Sequence, residues 1–350
     1  NNDWSLQPFY NVRKPIILIT GANGEIGHGL IRSLSKKARE DRVGLDLDVL
    51  DKSIRPFVQE FIQGNILERN LLARINAEFE VSAIYHLAAI LSTRAEFSPM
   101  TAHDVNVGGT INLLHLPMEQ SLSQGRPVKF FFPSSIAVYG MTDIDTKNSA
   151  GPVIEDDYRH PETIYGCNKL YCENLGIYFS RFYKRLSAES SRGRVDFRSI
   201  RLPGLISIHT LPAGGTSDYA PEMIHSAAQY IPYQCFVRED SALPFMTMGD
   251  AIKAILQLME AKEDSLSRSV YNVTSFSPSA AEFREKTLTY FPEAKIDFII
   301  NKKRQSIVDS WPAQVDDSKA RNDWDWEPEH DFDSAFENYL IPEIKKRYST

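Results

Sequence analysis

The regular pattern of the chain begins with a short apolar run that predicts a buried β-strand. Residues 14–20 read Lys-Pro-Ile-Ile-Leu-Ile-Thr, and Gly21 ends the run. β-Branched and apolar residues bounded by a glycine are typical of strands. Apolar residues then return at positions 26, 30, 31 and 34, which is the spacing of one helix face. The segment therefore predicts a strand, a tight turn and an amphipathic helix.

The alternation of strand-like and helix-like segments continues along the first half of the chain. Further strand-like runs occupy residues 43–47, 81–87, 129–132 and 195–202, and residues 70–79 carry an amphipathic helical pattern. Strands that alternate with helices form mostly parallel sheets that are covered on both faces. The expected fold class is therefore α/β, a Rossmann-like doubly wound parallel sheet with a smaller C-terminal lobe.

The pattern changes after residue 205, where proline and glycine separate shorter elements. Helical patterns at residues 249–261 and 279–290 flank a strand-like run at residues 269–272. We predict a sheet domain over residues 14–205, to which some later segments return, and a lobe formed mainly by residues 206–345. The polar, glycine-ended stretch at residues 187–193 predicts a surface loop.

The turn after the first strand is rich in glycine and predicts a phosphate site. It reads Thr20-Gly21-Ala22-Asn23-Gly24-Glu25-Ile26-Gly27. Backbone N–H groups at a helix N-terminus bind the pyrophosphate of a dinucleotide, and missing side chains let it approach. The spacing is Gly-x-x-Gly-x-x-Gly, which differs from the commoner Gly-x-Gly-x-x-Gly.

An acidic residue near the end of the second strand is expected to hydrogen-bond the adenosine ribose. Asp46 lies 19 residues after Gly27, and its carboxylate repels a 2′-phosphate, which favours NAD over NADP. Asp48 and Asp51 are alternative candidates for this contact.

Tyr165 and Lys169 form a candidate catalytic pair. They lie four residues apart at the start of a helical stretch, so both face the same side of the helix. A free phenol has a pKa of about 10, and use as a base near neutral pH asks for a depression of roughly 3 units. A nearby ammonium and an oxidised nicotinamide ring both favour the phenolate. The pair predicts a general base that works beside a hydride acceptor.

Two serines supply a hydroxyl at the matching place in the predicted sheet. Ser134 and Ser135 follow the strand-like run at residues 129–132, and ligands of open α/β sheets bind at the carboxyl ends of the strands. One of these hydroxyls is expected to bind the substrate oxygen while Tyr165 takes its proton.

Composition narrows the class of protein. The formal net charge is −7 with no run of like charges, which argues against nucleic acid as a partner. The three cysteines and eight histidines form no zinc-ligand pattern, so we expect no metal site, no disulfide framework and a reducing compartment. No apolar run approaches the roughly 20 residues of a membrane span, and no secretory signal pattern opens the chain, so a soluble protein is expected.

An ordered set of motifs resembles the extended short-chain dehydrogenase/reductases. The set comprises the glycine turn, Leu87-Ala88-Ala89, Asn106, Ser134-Ser135, Tyr165-x-x-x-Lys169, Arg201-Leu202-Pro203-Gly204 and a C-terminal Trp324-Asp325-Trp326-Glu327-Pro328. The resemblance implies NAD as the cofactor, without a metal. The residues that it implies for the cofactor site are Gly21, Asn23, Gly24, Glu25, Ile26, Gly27, Asp46, Leu87, Ala88, Ala89, Asn106, Tyr165, Lys169, Pro203 and Leu205. Asn65 stands where many relatives have an aspartate near adenine.

Further stretches are similar to the threonine-oxidising branch of that family. They are Leu91-Ser92, Pro133-Ser134-Ser135-Ile136-Ala137-Val138, Pro203-Gly204-Leu205-Ile206-Ser207, Gly214-Gly215-Thr216-Ser217-Asp218-Tyr219-Ala220 and Asp309-Ser310-Trp311-Pro312. The resemblance implies NAD-dependent oxidation of the β-hydroxyl of L-threonine to 2-amino-3-oxobutanoate, on a pathway toward glycine and acetyl-CoA.

The resemblance also implies roles for single residues. Tyr165 is expected as the proton acceptor, Lys169 as its electrostatic partner and ribose anchor, and Ser135 as the group that binds the hydroxyl. The residues expected to bind the substrate are Ser92, Ser134, Thr216, Ser217 and Trp311. Trp311 has two open roles, because it can close the pocket or pack in the core of the second lobe.

Partners and compartment follow from the same resemblance. It implies a homodimer that pairs through two helices of each chain, and coupling to a 2-amino-3-oxobutanoate CoA ligase. It implies the mitochondrial matrix for a eukaryotic protein and the cytoplasm otherwise. The alternative function is a nucleotide-sugar epimerase or dehydratase of the same family, for which Arg238 and the Lys302-Lys303-Arg304 cluster are candidate phosphate partners.

Overall fold

The structure is a computed structural model that describes residues 13–186, 194–212 and 214–348. The surface loop predicted over residues 187–193 lies outside the described residues. Within those ranges, each helix is too short or too polar to cross a membrane.

The strands are short and appear from one end of the chain to the other. In chain order they are β1 (Lys14–Thr20), β2 (Asp41–Asp46), β3 (Glu60–Gln63), β4 (Phe79–His86), β5 (Val128–Ser135), β6 (Pro152–Val153), β7 (Val195–Leu202), β8 (Gly204–Ile206), β9 (Tyr233–Cys235), β10 (Phe245–Thr247), β11 (Val270–Asn272), β12 (Ile296–Phe298) and β13 (Gln314–Val315).

The helices alternate with these strands. They are α1 (Glu25–Lys37), α2 (Arg69–Glu78), α3 (Ser92–Phe97), α4 (Pro99–His103), α5 (Gly109–Gln124), α6 (Ile144–Ser149), α7 (Ile164–Arg181), α8 (Tyr219–Ala228), α9 (Met248–Glu260), α10 (Ala280–Tyr290), α11 (Lys302–Asp309), α12 (Ser318–Trp324), α13 (Phe332–Ser334) and α14 (Ile341–Tyr348). A π-helical turn, Asp104–Gly108, joins α4 to α5, and a second one, Ala335–Leu340, joins α13 to α14.

A seven-stranded parallel sheet forms the centre of the molecule. Its strand order is β11-β7-β5-β4-β1-β2-β3, and every pair within it is parallel. The order reverses between β1 and β4, which is where ligands of doubly wound sheets bind. Separate apolar cores cover its two faces, one built on α1 and α9 and the other on α2, α5 and α7. The expected α/β fold class, a doubly wound parallel sheet, is confirmed.

The strands and helices whose bounds the sequence pattern predicts all have observed counterparts, with ends within two residues except at β5, which continues beyond residue 132 to Ser135. Many shorter elements, such as β8, β9 and β12, have no prediction. Strand β3 is absent from the predictions because it is too short to show a pattern. It has only four residues, and just the two in the middle are apolar. Phe79, the expected last residue of a helix, instead begins β4, since the chain turns directly from α2 into the sheet.

The second lobe has its own apolar core, which draws on residues from both halves of the chain. Two small parallel pairs, β8 with β10 and β9 with β12, belong to it, and β13 pairs with β6 from the first half. In the other direction, β11 and α9 return to the large sheet. The core of the second lobe and the two cores of the large sheet therefore interleave along the chain.

Helix α7 packs very closely on the turn that follows β5. A Cβ atom placed on Gly166 would lie 2.0 Å from the Ala137 carbonyl oxygen, so only glycine permits this approach. About two turns later, Glu173 of α7 forms a bidentate ion pair with Arg201 of β7, at 2.9 and 2.7 Å. Their side chains are only 3% and 2% exposed. Helix α7 is thus fixed to the sheet at both places.

We expect Gly166→Ala to lower the free energy of unfolding by about 1–3 kcal/mol, because overpacking against a backbone atom forces the helix to move. Denaturant unfolding measures it. The matched control is Gly108→Ala, where a Cβ meets only the Leu67 side chain at an ordinary 3.5 Å. The control should be neutral or slightly stabilising. Equal stability of the two variants would contradict the close packing of α7.

Candidate active site

The glycine turn sits between the carboxyl ends of β2 and β4. Gly21 has φ +68°, and a Cβ there would lie 2.6 Å from the Ala88 nitrogen. Its own N–H donates to the Leu45 carbonyl at 2.9 Å, and Leu87 N–H donates to the Thr20 carbonyl at 3.0 Å. The positive φ and the tight contact together require glycine at position 21. The turn and the Leu87-Ala88-Ala89 segment therefore form one unit at the end of the sheet.

Helix α1 begins directly after this turn, with its N-terminus open to a ligand. Its N-cap is Gly24, and within the described residues no side chain caps its first N–H groups. Gly27 is buried and Ile26 half-buried, so the helix packs on the sheet through its first turn. Uncapped N–H groups at a helix N-terminus attract phosphate oxygens. The turn therefore fits the pyrophosphate of NAD.

Glu25, the first residue of α1, faces the second lobe. The nearby Ser207 hydroxyl lowers the pKa of its carboxyl group, against the larger effect of burial. Burial raises the pKa of Glu25 to about 7, and the nearby Asp218 carboxylate raises this pKa further. The carboxyl group therefore links the cofactor turn to the segment that follows β8.

Asp46 ends β2 and contacts the backbone of the glycine turn. Its Oδ2 accepts the Asn23 N–H at 2.9 Å, and its Oδ1 accepts the Asp48 N–H at 3.2 Å. The Asn23 side chain bonds the Asp48 carbonyl and the Asp51 N–H. Asp48 and Asp51 thus contribute only backbone groups here, whereas Asp46 contributes its carboxylate.

Asn106 stabilises the segment after β4 through two hydrogen bonds to its backbone. Its side chain accepts the Ile90 N–H at 2.8 Å and donates to the Ile90 carbonyl at 3.0 Å. Asn106 is buried, so these bonds shape the Leu87-Ala88-Ala89 turn from behind. Pro203 and Leu205 lie at the junction of β7 and β8, where Leu205 pairs with Met246 of β10.

Tyr165, Lys169 and Ser135 come together where α7 meets the end of β5. The Lys169 ammonium lies 5.4 Å from the centre of the Tyr165 ring and donates to the Pro133 carbonyl at 2.5 Å. Ser135 Oγ accepts the Ala137 N–H at 3.1 Å. Gly166, next to Tyr165, packs against that same Ala137, so the tyrosine begins its helix directly over the serine turn.

Burial controls the charges of this pair. Burial raises the pKa of the Tyr165 phenol, and it lowers the pKa of Lys169 to about 8, against the opposing effect of Cys172 and Glu173. The phenol is therefore neutral near pH 7. The lysine keeps most of its positive charge there, since pH 7 is below its pKa.

The structure separates the two serines of the Ser134-Ser135 pair. Successive residues of a strand point to opposite faces, so the two hydroxyls diverge. Ser134 is buried and donates to Glu173 Oε1 at 2.5 Å, within the Glu173–Arg201 ion pair. Its hydroxyl is thus engaged inside the protein. Ser135, which is half-buried, is the serine at the cleft.

Helix α3 joins the predicted substrate residues to helix α7. Ser92 is its first residue. Thr93 Oγ1 donates to the Gly214 carbonyl at 2.8 Å, and Glu96 Oε1 accepts the Ile164 N–H at 2.8 Å. Ile164 immediately precedes Tyr165. One short helix therefore brings Ser92, the start of α7 and the loop at residues 214–217 to the same side of the molecule.

The remaining candidates lie in the second lobe. Thr216 is buried and Ser217 half-buried in the loop before α8. Trp311 is buried in the second core, against which Tyr165 also packs. Its indole N–H is buried without a hydrogen-bond partner among the described residues. This places Trp311 in the core that borders the tyrosine.

Two of the side chains expected to bind phosphate in a nucleotide-sugar enzyme are already bonded to other groups of the protein. Arg238 forms a bidentate pair with Asp309 at 2.8 and 2.9 Å. Arg304 donates to the Gly215 carbonyl at 2.6 Å. Lys302 and Lys303 are exposed at the start of α11.

Several positioning residues are missing from the sequence-based predictions. Glu173 lies four residues after Lys169 on the same helix face, which is a signal that could have been used. Thr93 and Glu96 bond backbone groups, and no spacing in the sequence indicates such partners. Arg304 is predicted only as a candidate phosphate partner, and it too bonds a backbone carbonyl. Buried His86, which bridges the Thr20 and Thr110 hydroxyls at 2.8 and 3.0 Å, is equally without a motif.

Comparisons with known proteins agree with this geometry. The pattern of the NAD dependent epimerase/dehydratase family matches residues 17–274. The mitochondrial L-threonine 3-dehydrogenase of Bos taurus is 34% identical over 318 residues, which cover 91% of this chain and 79% of that protein. An uncharacterized epimerase/dehydratase of Staphylococcus saprophyticus is 34% identical, covering 94% of this chain and 97% of its own.

Solved structures extend the comparison to the whole fold. The L-threonine dehydrogenase of Clostridium difficile superimposes with a TM-score of 0.82 at 30% identity, covering 96% of this chain and 99% of its own. The match spans both the parallel sheet and the second lobe. This chain therefore belongs to the NAD dependent epimerase/dehydratase family, and NAD is its cofactor.

Proposed function

We propose that the protein oxidises the β-hydroxyl of L-threonine to 2-amino-3-oxobutanoate with NAD as the acceptor. The observation that carries the proposal is the pair of hydrogen bonds made by α3, from Thr93 to Gly214 and from Ile164 to Glu96. These bonds bring the hydroxyl groups of Ser92, Thr216 and Ser217 to the same side of the molecule as Tyr165. The named relatives, L-threonine 3-dehydrogenases at 34% and 30% identity, support the same substrate.

The chemistry assigned to this chain is proton transfer and orientation. Ser135 Oγ binds the β-hydroxyl, and Tyr165 takes its proton as general base. Lys169 stabilises the phenolate by its charge, at 5.4 Å from the ring centre. Because burial alone raises the pKa of Tyr165, the base becomes effective only when further positive charge is nearby. When bound at the glycine turn, NAD would supply the hydride acceptor and the positive charge of the oxidised nicotinamide ring.

Binding of the amino-acid head is assigned to Ser92, Thr216 and Ser217. A small zwitterion offers little apolar area, so its recognition depends on oriented hydrogen bonds. Since Ser134 is engaged with Glu173, we leave it out of the proposed substrate contacts. Trp311 borders the site from the second core and supports the position of Tyr165.

The cofactor contacts follow from the glycine turn and Asp46. Backbone N–H groups at the start of α1 hold the pyrophosphate, and the Asp46 carboxylate holds the adenosine ribose. The Leu87-Ala88-Ala89 turn, Pro203 and Leu205 line the cofactor cleft at the ends of β4 and β7. Lys169 anchors the second ribose.

A homodimer is proposed from an exposed apolar surface on neighbouring helices. Phe97 of α3 and Met100 of α4 are 84% and 73% exposed, and Tyr171 of the adjoining α7 is 51% exposed. Large apolar side chains grouped in this way are typical of interfaces. The surface agrees with pairing through helices of the two chains.

The compartment and the metabolic partner are also proposals. Two mammalian relatives, from Bos taurus and Sus scrofa, carry "mitochondrial" in their names, which supports the mitochondrial matrix for a eukaryotic source and the cytoplasm otherwise. The product, a β-keto amino acid, suits a CoA ligase that splits it to glycine and acetyl-CoA.

Mixing the protein with NAD and L-threonine should produce NADH, which is measured by its absorbance. We expect Tyr165→Phe to reduce kcat by about 10²–10⁴-fold, which is typical of a lost general base, with NAD affinity almost unchanged. The control is Tyr230→Phe, an exposed tyrosine of the second lobe. Turnover of a UDP-sugar and none of threonine would refute the substrate, and normal kcat in Tyr165→Phe would refute the base.

Asp46→Ala should weaken NAD binding by about 10–100-fold, as expected for a lost hydrogen bond to a charged group, and bring the NAD and NADP affinities closer. Fluorescence titration of both cofactors measures this. Asp48→Ala serves as the matched control and should leave the ratio unaltered. If the control shifts the ratio and Asp46→Ala does not, the ribose contact belongs to Asp48.

Phe97→Asp should convert the dimer to a monomer, because burying an unpaired carboxylate at an interface is strongly unfavourable. Light scattering after size exclusion gives the mass. Ile299→Asp, at an exposed apolar position of the second lobe, is the control and should keep the dimer. A monomeric parent protein, or a dimer that survives Phe97→Asp, speaks against this interface.

A further inference from the structure

The loop at residues 214–217 is held by side chains from outside it. Gly214 has φ +81°, a conformation that glycine adopts freely. Its carbonyl accepts from Thr93 Oγ1 at 2.8 Å and from Arg304 Nη2 at 3.4 Å. The next carbonyl, of Gly215, accepts from Arg304 Nη2 at 2.6 Å. Two distant side chains thus converge on two successive carbonyls.

A third bond closes the other edge of the loop. The Gly215 N–H donates to Asp218 Oδ2 at 2.7 Å, one residue before α8 begins. Thr216 and Ser217 lie between these anchored points. Thr216 is buried there and Ser217 is half-buried.

Arg304 is itself fixed in place. Its guanidinium lies over the Phe236 ring, 3.1 Å from the ring centre, and the Glu222 and Asp218 carboxylates favour its charge. Burial acts the other way and lowers its pKa. A planar guanidinium that stacks on an aromatic ring and binds carbonyls cannot be replaced by lysine without loss of geometry.

Thr93 connects the loop to the catalytic helix. It lies on α3, and the same helix binds the Ile164 N–H through Glu96 at 2.8 Å. Ile164 is the neighbour of Tyr165. The position of the loop relative to the tyrosine is therefore set through one rigid turn of helix, and Arg304 secures the loop from the second lobe.

We propose that Thr93 and Arg304 are positioning residues that fix the loop at residues 214–217, so that Thr216 and Ser217 bind the amino-acid head of the substrate. The inference rests on the proposed function and deepens it. A glycine-containing loop without these bonds loses much of its order, because its released residues regain conformational entropy. Substrate affinity suffers, whereas the cofactor turn lies elsewhere and keeps its shape.

Two pairs of variants test the proposal. Thr93→Val removes the donor at nearly constant shape, and Thr93→Ser restores it. Arg304→Lys keeps the charge and loses the planar fork. Arg238→Lys is the matched control, since Arg238 lies in the same lobe and binds Asp309 instead. Each is measured for KM of L-threonine, kcat, NAD affinity and thermal unfolding.

We expect Thr93→Val to raise the KM of threonine about fivefold, the typical effect of one lost neutral hydrogen bond, and Arg304→Lys to raise it at least tenfold. Thr93→Ser should return KM to within about twofold of the parent protein. NAD affinity and kcat should change much less than KM. Parallel losses of NAD affinity, kcat and thermal stability would show a merely structural role and overturn the proposal.

Hydrogen exchange provides a readout that does not depend on catalysis. The amides of residues 214–218 should exchange faster in Thr93→Val and Arg304→Lys than in Thr93→Ser and Arg238→Lys. Unchanged exchange overturns the proposal even when the parent protein fails to oxidise threonine, which is the separate failure of the proposed function. Faster exchange with an unchanged KM also overturns it.

Discussion

The buried ion pair between Glu173 and Arg201 determines where helix α7 lies on the sheet. It joins α7 to β7 through two hydrogen bonds, and Ser134 of β5 adds a third to the same carboxylate. Arg201 also donates to the Tyr139 hydroxyl and the Glu155 carbonyl, at 2.9 and 2.6 Å. Removing one partner of such a pair leaves an unpaired buried charge, which costs about 3–5 kcal/mol. The helix therefore has one position on the sheet.

The relative positions of Tyr165, Lys169 and Ser135 depend on where α7 lies. Lys169 lies one turn before Glu173, and its ammonium reaches the Pro133 carbonyl because α7 runs so close to β5. Gly166 allows the first turn to touch Ala137, which brings Tyr165 over the Ser135 turn. Burial by itself raises the pKa of the tyrosine and so keeps its phenol protonated near neutral pH. In this account a catalytic phenolate forms only in the complete complex, where the lysine and the cofactor act together.

Local pattern was sufficient to predict the parallel sheet, the glycine turn and the Tyr165–Lys169 pair, because each depends on residues close in sequence. The sequence could not tell which of Ser134 and Ser135 faces the cleft, since a shift of one residue in register moves a side chain to the other face of the sheet. The anchoring of the loop by Thr93 and Arg304 gave no sequence signal, because their partners are backbone carbonyls. Arg238, a candidate phosphate ligand by charge alone, proved to be paired with Asp309.

We propose, as the central claim, that Ser135 and Tyr165 bind the β-hydroxyl of threonine while residues 214–217 bind its amino-acid head. A crystal structure of the Tyr165→Phe variant with NAD and L-threonine tests it most directly. The predicted complex has the β-oxygen about 3 Å from Ser135 Oγ and next to the edge of the ring at position 165, with Thr216 and Ser217 on the carboxylate. A threonine whose β-carbon faces away from both Ser135 and position 165 would contradict the account.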